Sequence, residues 1–227
     1  MSETEDTKAA EATPAVNAAL ERYKWKIFAI VGVLSLIADQ VTKVWARHVL
    51  PLKGHGSLAD GACAIPDDMV GKAPRCFAET IDFIDGFWQW RLSMNPGSAF
   101  GLFGSNQAAA RIFLSIVGIA AVGGMVWMVK KARTDQKVLH WALAFVAGGA
   151  VGNLIDRIYF GYVTDMVLWR YKTHEWPVFN VADVVLVIGV GLMFIDIQKE
   201  SKREKALKKA AKQEAQDAAR AKGHVKY

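Results

Sequence analysis

IFLSIVGIAAVGGMVWMV, Ile112–Val129, contains no charged side chain. It is long enough to cross hydrocarbon as a helix, which takes roughly 20 apolar residues. Apolar residues fall on every face, so no side is left for water. Three further apolar blocks lie around it. Together the four, at 27–46, 108–129, 138–157 and 181–198, predict an all-α membrane protein with four transmembrane helices. A soluble helical bundle is the competing reading, and Val184–Ile195, also apolar all round, speaks against it. The expected organisation is a disordered tail at 1–22, a four-helix membrane domain at 23–198 and a basic tail at 199–227.

Lys and Arg set the expected orientation. The segment Lys130–Lys137 holds four basic residues and one acid, and residues 199–227 hold ten basic residues and four acids. The net +6 of that tail equals the formal net charge of the chain, so the basic balance reports a tail and not a nucleic-acid groove. With Arg22, Lys24 and Lys26 before the first block, these segments are expected in the cytoplasm, as are both termini. Segments 47–107 and 158–180 are then extracytoplasmic. Trp25, Trp127 and Trp141 mark one interface, and Trp45, Trp88, Trp90, Trp169 and Trp176 the other. The first block carries Asp39 and Lys43 and no small-residue cleavage site follows it, so it reads as a retained anchor.

The 47–107 insertion is expected to form a small β-cradle. Asp85-Gly86 separates Thr80–Ile84 from Phe87–Met94, the signature of a two-residue hairpin turn. The second strand alternates, with Trp88, Trp90, Leu92 and Met94 on one face and Gln89, Arg91, Ser93 and Asn95 on the other. Cys63 and Cys76 lie in the same insertion, where an oxidising compartment permits a disulfide.

Polar residues gather at one level. Asp39 and Lys43 share a face near the outer end of the first helix. Asn153, Asp156 and Arg157 share a face near the outer end of the third. Asn180, an expected N-cap, and Asp183 open the fourth; Asn95 precedes the second and Asp165 follows the third. Each has a structural reading of its own, but polar groups at a bilayer segment usually face a bundle interior or a wet cavity. Gly148, Gly149 and Gly152 let helix backbones approach there.

The chemistry this permits is narrow. The sequence shows no Ser-His-Asp set, HExxH motif or Gly-rich phosphate loop, and its five histidines are scattered. Two close aspartates share a proton, one acting as base on water and the other as acid to the substrate carbonyl. Asp165 and Asp183 flank a loop able to bring them together. Asp39 and Asp156 remain competitors, since spacing does not decide among the four.

Five pieces in order resemble a known family: Asp39-Gln40-Val41-Thr42-Lys43, Asn95-Pro96-Gly97-Ser98-Ala99-Phe100-Gly101, Gly148 to Arg157, Val163-Thr164-Asp165 and Phe179-Asn180-Val181-Ala182-Asp183. The chain is similar to lipoprotein signal peptidase (signal peptidase II), a membrane aspartic protease family, over about 27–198. The resemblance implies Asp165 and Asp183 as the catalytic dyad. It implies Asn95, Asn153 and Arg157 as substrate-binding residues, and Asp39, Lys43, Asp156, Asn180 and Gly97 as supporting ones. It further implies a prolipoprotein substrate bearing diacylglyceryl-cysteine and cut before that cysteine, no metal or organic cofactor, and sensitivity to globomycin. A monomer in contact with membrane lipid, in the inner membrane with the site on the periplasmic face, is expected. The 54–80 segment and the charged tails depart from the family pattern. A proton-coupled four-helix transporter is the rival class, but it needs an acid near the bilayer midplane, and the inner halves of the second and fourth helices are almost without polar residues. A non-catalytic lipoprotein-binding scaffold is a third reading; the intact aspartate pair argues against it.

Overall fold

The computed structural model describes residues 14–52, 55–57, 78–97 and 106–223. Its helices are α1 (Pro14–Val49), α2 (Gln107–Lys131), α3 (Lys137–Tyr159) and α4 (Val181–Gly223). All four are long and apolar enough to cross a membrane, in line with the four expected spans. Two overrun their expected bounds. Residues 14–22 are helical rather than part of a disordered tail. The basic segment after residue 198 continues α4 without a break, because Ala, Lys, Glu and Gln are strong helix formers.

α3 is the axis of the bundle and packs against α1, α2 and α4. Its glycines make this possible. A Cβ on Gly148 would stand 2.6 Å from the Gly32 carbonyl oxygen of α1, and one on Gly149 would stand 2.6 Å from the Ala182 carbonyl oxygen of α4. The small-residue stretch is thus a seam for two helices at once. α2 stays exposed along most of its length, as a helix apolar on every face does when lipid is its solvent. At the end away from the sheet, buried Lys24 donates to the Ala132 carbonyl at 3.0 Å, closing the C-terminus of α2. Arg133 and Arg203 bridge Asp135 and Glu200 there, tying the start of the α4 extension to the α2–α3 turn.

The other end is roofed by a sheet. Strands β1 (Pro51–Leu52) and β2 (His55–Ser57) form a short pair. β3 (Thr80–Ile84), β4 (Trp88–Asn95), β5 (Val163–Tyr171) and β6 (His174–Glu175) form an antiparallel sheet in that order. The expected hairpin between α1 and α2 is β3–β4. Its loop has three residues rather than two: Asp85, Gly86 and Phe87, with Gly86 at φ +68° and the Phe87 amide returning to the Ile84 carbonyl. The cradle also draws on the α3–α4 connection, which supplies β5 and β6. Leu92 of β4, Met166 and Val167 of β5 and Ala46 and Leu50 of α1 form the core that seats the sheet on the bundle.

The expected alternation of β4 is broken by a bulge. Trp90 faces Val167, but Ser93 faces Asp165, so β4 has one residue more than β5 across the same interval. Residues facing each other across a ladder point to the same side. The extra residue therefore turns Ser93 and Asn95 onto the face that carries Asp165, which uninterrupted alternation with Trp88 and Trp90 would not do. Cys63, Cys76 and Ser98–Gly101 lie outside the described residues, as does most of the 54–80 segment.

Candidate active site

Asp165 stands on β5 and Asp183 in the first turn of α4. Three asparagines join them. Asn180 Nδ2 donates to Asp165 Oδ1 at 2.6 Å and to Asn153 Oδ1 at 3.2 Å. Asn153 Nδ2 donates to Asp183 Oδ1 at 2.9 Å. Asn95 Nδ2 donates to Asp165 Oδ2 at 3.2 Å. The amide nitrogens thus aim at the two carboxyl groups, and each asparagine is held in that orientation by its oxygen. Asn95 Oδ1 accepts from the Gly97 amide at 2.9 Å, Asn180 Oδ1 from the Asp183 amide at 3.0 Å, and Asn153 Oδ1 from Lys43 Nζ at 2.8 Å.

Local structure explains each placement. Asn180 is the N-cap that the sequence predicts, and the Asp183 carboxylate returns the favour by accepting from the Asn180 amide at 3.3 Å, a reciprocal capping box. Gly97 adopts φ +90°, and a Cβ there would collide with the Leu114 side chain, so this turn needs glycine if Asn95 is to hold its aim.

Beneath the pair lies a buried ionic layer. Lys43 is fully buried, 2.9 Å from Asp39 Oδ2 and 3.5 Å from Asp156 Oδ2. Asp39 Oδ1 accepts from the Ala182 amide at 2.9 Å, and Gln40 Nε2 donates to both Asp39 Oδ2 and the Gly152 carbonyl. Asp39 and Asp156, competitors for the dyad at the level of sequence, are therefore engaged with Lys43 and backbone amides. A Cβ on Gly152 would strike the Asp39 carboxylate, so that glycine makes room for the ion pair.

Electrostatics separate the two aspartates. Burial, with the Asp183 carboxylate as a second cause, pushes the Asp165 carboxyl up to about 7. The guanidinium of Arg157 is within electrostatic reach of both carboxylates, and its buried Nε meets no hydrogen-bond partner among the described residues. Two apolar recesses adjoin the pair. One, of about 290 Å³, is lined by Asp183, Trp176, Val184, Val187 and Ile188. The other, of about 560 Å³, has Trp45, Trp88, Trp90 and Trp169 in its walls, with Asn180 between it and the carboxylates.

Asp39, Lys43, Asn95, Gly97, Asn153, Asp156, Arg157, Asp165, Asn180 and Asp183 all lie in or beside this assembly. Arg47 and Gln40 were missed, although Arg47 continues the Asp39, Lys43 series at four-residue spacing along the same helix face.

Fold and site together define a polytopic helical membrane protein with a carboxyl pair, Asp165 buried and Asp183 half-buried, under a small sheet. Comparison with known proteins names the class. The model of the signal peptidase II family matches residues 31–199. A lipoprotein signal peptidase of Geobacter metallireducens is 32% identical over 180 residues, covering 79% of this chain and 95% of the relative. One of Anaeromyxobacter sp. is 34% identical over 182 residues, covering 76% and 84%. A bacterial membrane enzyme solved by the in meso method at 2.3 Å resolution superposes with TM-score 0.56 at 25% identity, over 77% of this chain and 88% of that one. The chain belongs to the signal peptidase II family and is a membrane aspartic peptidase.

Proposed function

We propose that this peptidase removes the signal peptide from prolipoproteins, cutting before a diacylglyceryl-modified cysteine, with Asp165 and Asp183 as its dyad. The observation that carries the reading is the asparagine bridge, through which Asn180 and Asn153 link the carboxyl groups of Asp165 on β5 and Asp183 on α4. Asp183, at a helix N-terminus and accepting from Asn153 and the Asn180 amide, is the carboxylate that takes a proton from water. Asp165, with its raised pKa, gives its proton to the substrate carbonyl oxygen as the water oxygen bonds to carbon. As the tetrahedral diol collapses, Asp183 gives the proton it took from water to the leaving nitrogen, Asp165 takes back a hydroxyl proton, and the amine departs. Asn95, Asn153 and Arg157 bind and orient the peptide. Asp39, Lys43, Asp156, Asn180 and Gly97 support that arrangement.

The apolar recesses suit a lipidated substrate. Acyl chains fill the tryptophan-walled space while the scissile bond sits at headgroup level, above hydrocarbon. In this reading the sheet faces the periplasm, both termini are cytoplasmic and the enzyme acts as a monomer. A gel-shift assay on a diacylglyceryl-modified precursor tests the reading. The purified protein shortens the precursor, globomycin blocks the shift, and the unlipidated precursor is left intact. Equal cleavage of both precursors would remove the lipid from the proposal.

A further inference from the structure

We propose that Arg47 and Thr164 form a latch that positions Asp165 from behind, an inference that rests on reading Asp165 as half of the dyad. Thr164 is fully buried and Arg47 nearly so. Arg47 Nη1 donates to Thr164 Oγ1 at 2.8 Å and stands 3.6 Å from Asp156 Oδ1, with its guanidinium centre 4.3 Å from the Phe160 ring. The Thr164 amide donates to Asp156 Oδ2 at 2.8 Å. One residue of β5 is thereby tied to α1 through its hydroxyl and to α3 through its amide.

The position of that residue gives the latch its meaning. Neighbours on a strand point to opposite faces, so a hold on Thr164 fixes the backbone of Asp165 and leaves its carboxyl to Asn95 and Asn180. On its other side this part of β5 bonds Phe179 through the Met166 and Val167 amides, and its ladder with β4 is bulged between Trp90 and Ser93, opposite Asp165 and Met166. A bulge weakens local pairing. The Lys43 cluster joins α1 to α3 and reaches β5 through Asp156, which accepts from the Thr164 amide. Arg47 adds a side-chain hydrogen bond from α1 to β5.

The test uses the full chain purified in detergent, a lipidated precursor, kcat and KM across pH, and Tm for each variant. Thr164→Val removes the acceptor at nearly constant shape; Arg47→Met keeps the apolar stem. Each is expected to lower kcat on the order of tenfold with KM within about twofold of wild type, since catalysis is sensitive to sub-ångström placement. The double variant is expected to be no slower than the slower single one, as members of one contact are not additive. Thr164→Ser recovers most of the rate. The alkaline limb of kcat moves to lower pH in Thr164→Val as Asp165 becomes better hydrated. Thr164→Val at the wild-type kcat and pH profile, additive losses, or losses that only track Tm would each overturn the latch. Asp165→Asn run alongside keeps the two readings apart. If it retains activity, the dyad assignment fails; if it is inactive while Thr164→Val is normal, the latch alone fails.

Discussion

At the scale of single residues, the burden falls on Asp165. Its carboxyl is nearly inaccessible and pushed up to about 7, first by burial and then by the Asp183 carboxylate. As the acid of the pair, it must hold its proton, so kcat is expected to fall as pH rises through about 7; a profile flat from pH 6 to pH 8, roughly the window around that value, would assign the acid elsewhere. The same shift has a consequence for stability. A folded-state pKa above the unfolded one favours folding below the ordinary carboxylate range, and that contribution is lost as pH rises through about 7. Asp165→Asn and Asp183→Asn each lower kcat on the order of a thousandfold while the protein stays inserted, because amides neither take nor give the proton. Rates near wild type in purified single variants would contradict the dyad.

At the scale of elements, α1 delivers a charged face into a lipid-spanning bundle, and α3 makes room for it. Lys43→Met leaves Asp39 and Asp156 buried without their shared cation, a loss of about 3–5 kcal/mol in stability, measurable as a lower Tm in detergent. Gly152→Ala sets a methyl group against the Asp39 carboxylate and costs about 1–3 kcal/mol by overpacking. It is expected to lower kcat as well, because Asp39 accepts from the Ala182 amide beside Asp183. A Gly152→Ala protein equal to wild type in both Tm and kcat would show that the seam has slack the structure does not display.

At the scale of the whole molecule, the site and the long α4 extension lie at opposite ends of the bundle. The extension is anchored at its root by Arg133, Asp135, Glu200 and Arg203 and is exposed beyond. Truncation after Lys205 keeps those ion pairs and is expected to leave cleavage within about twofold of wild type, since surface segments away from packing contribute little. A large loss would give the extension a part in the reaction. Reporter fusions at residue 205 and in the β3–β4 turn are expected to report opposite sides of the membrane; the same side for both would refute the proposed topology.

What the sequence makes legible depends on the kind of order involved. Four spans follow from composition, because an apolar run of roughly 20 residues crosses hydrocarbon by satisfying its backbone bonds within itself, as a helix. Asn180 as a cap follows from one residue type in front of an apolar run. β5 was not legible as a strand. Val163–Leu168 is buried on both faces, so the two-residue alternation that marks a half-exposed strand is missing. The bulge that turns Asn95 toward Asp165 was hidden too, since β4 reads as regular alternation until its register against β5 is known. Among four acidic candidates, sequence spacing left the pair open, whereas the fold commits Asp39 and Asp156 to Lys43 and backbone amides and brings Asp165 and Asp183 to the same asparagines. Helix number, length and caps are local properties, written in the order of apolar and polar side chains. Which carboxyl groups meet is a matter of long-range packing: glycine-thin helix contacts and a strand register set by residues seventy positions apart decide it.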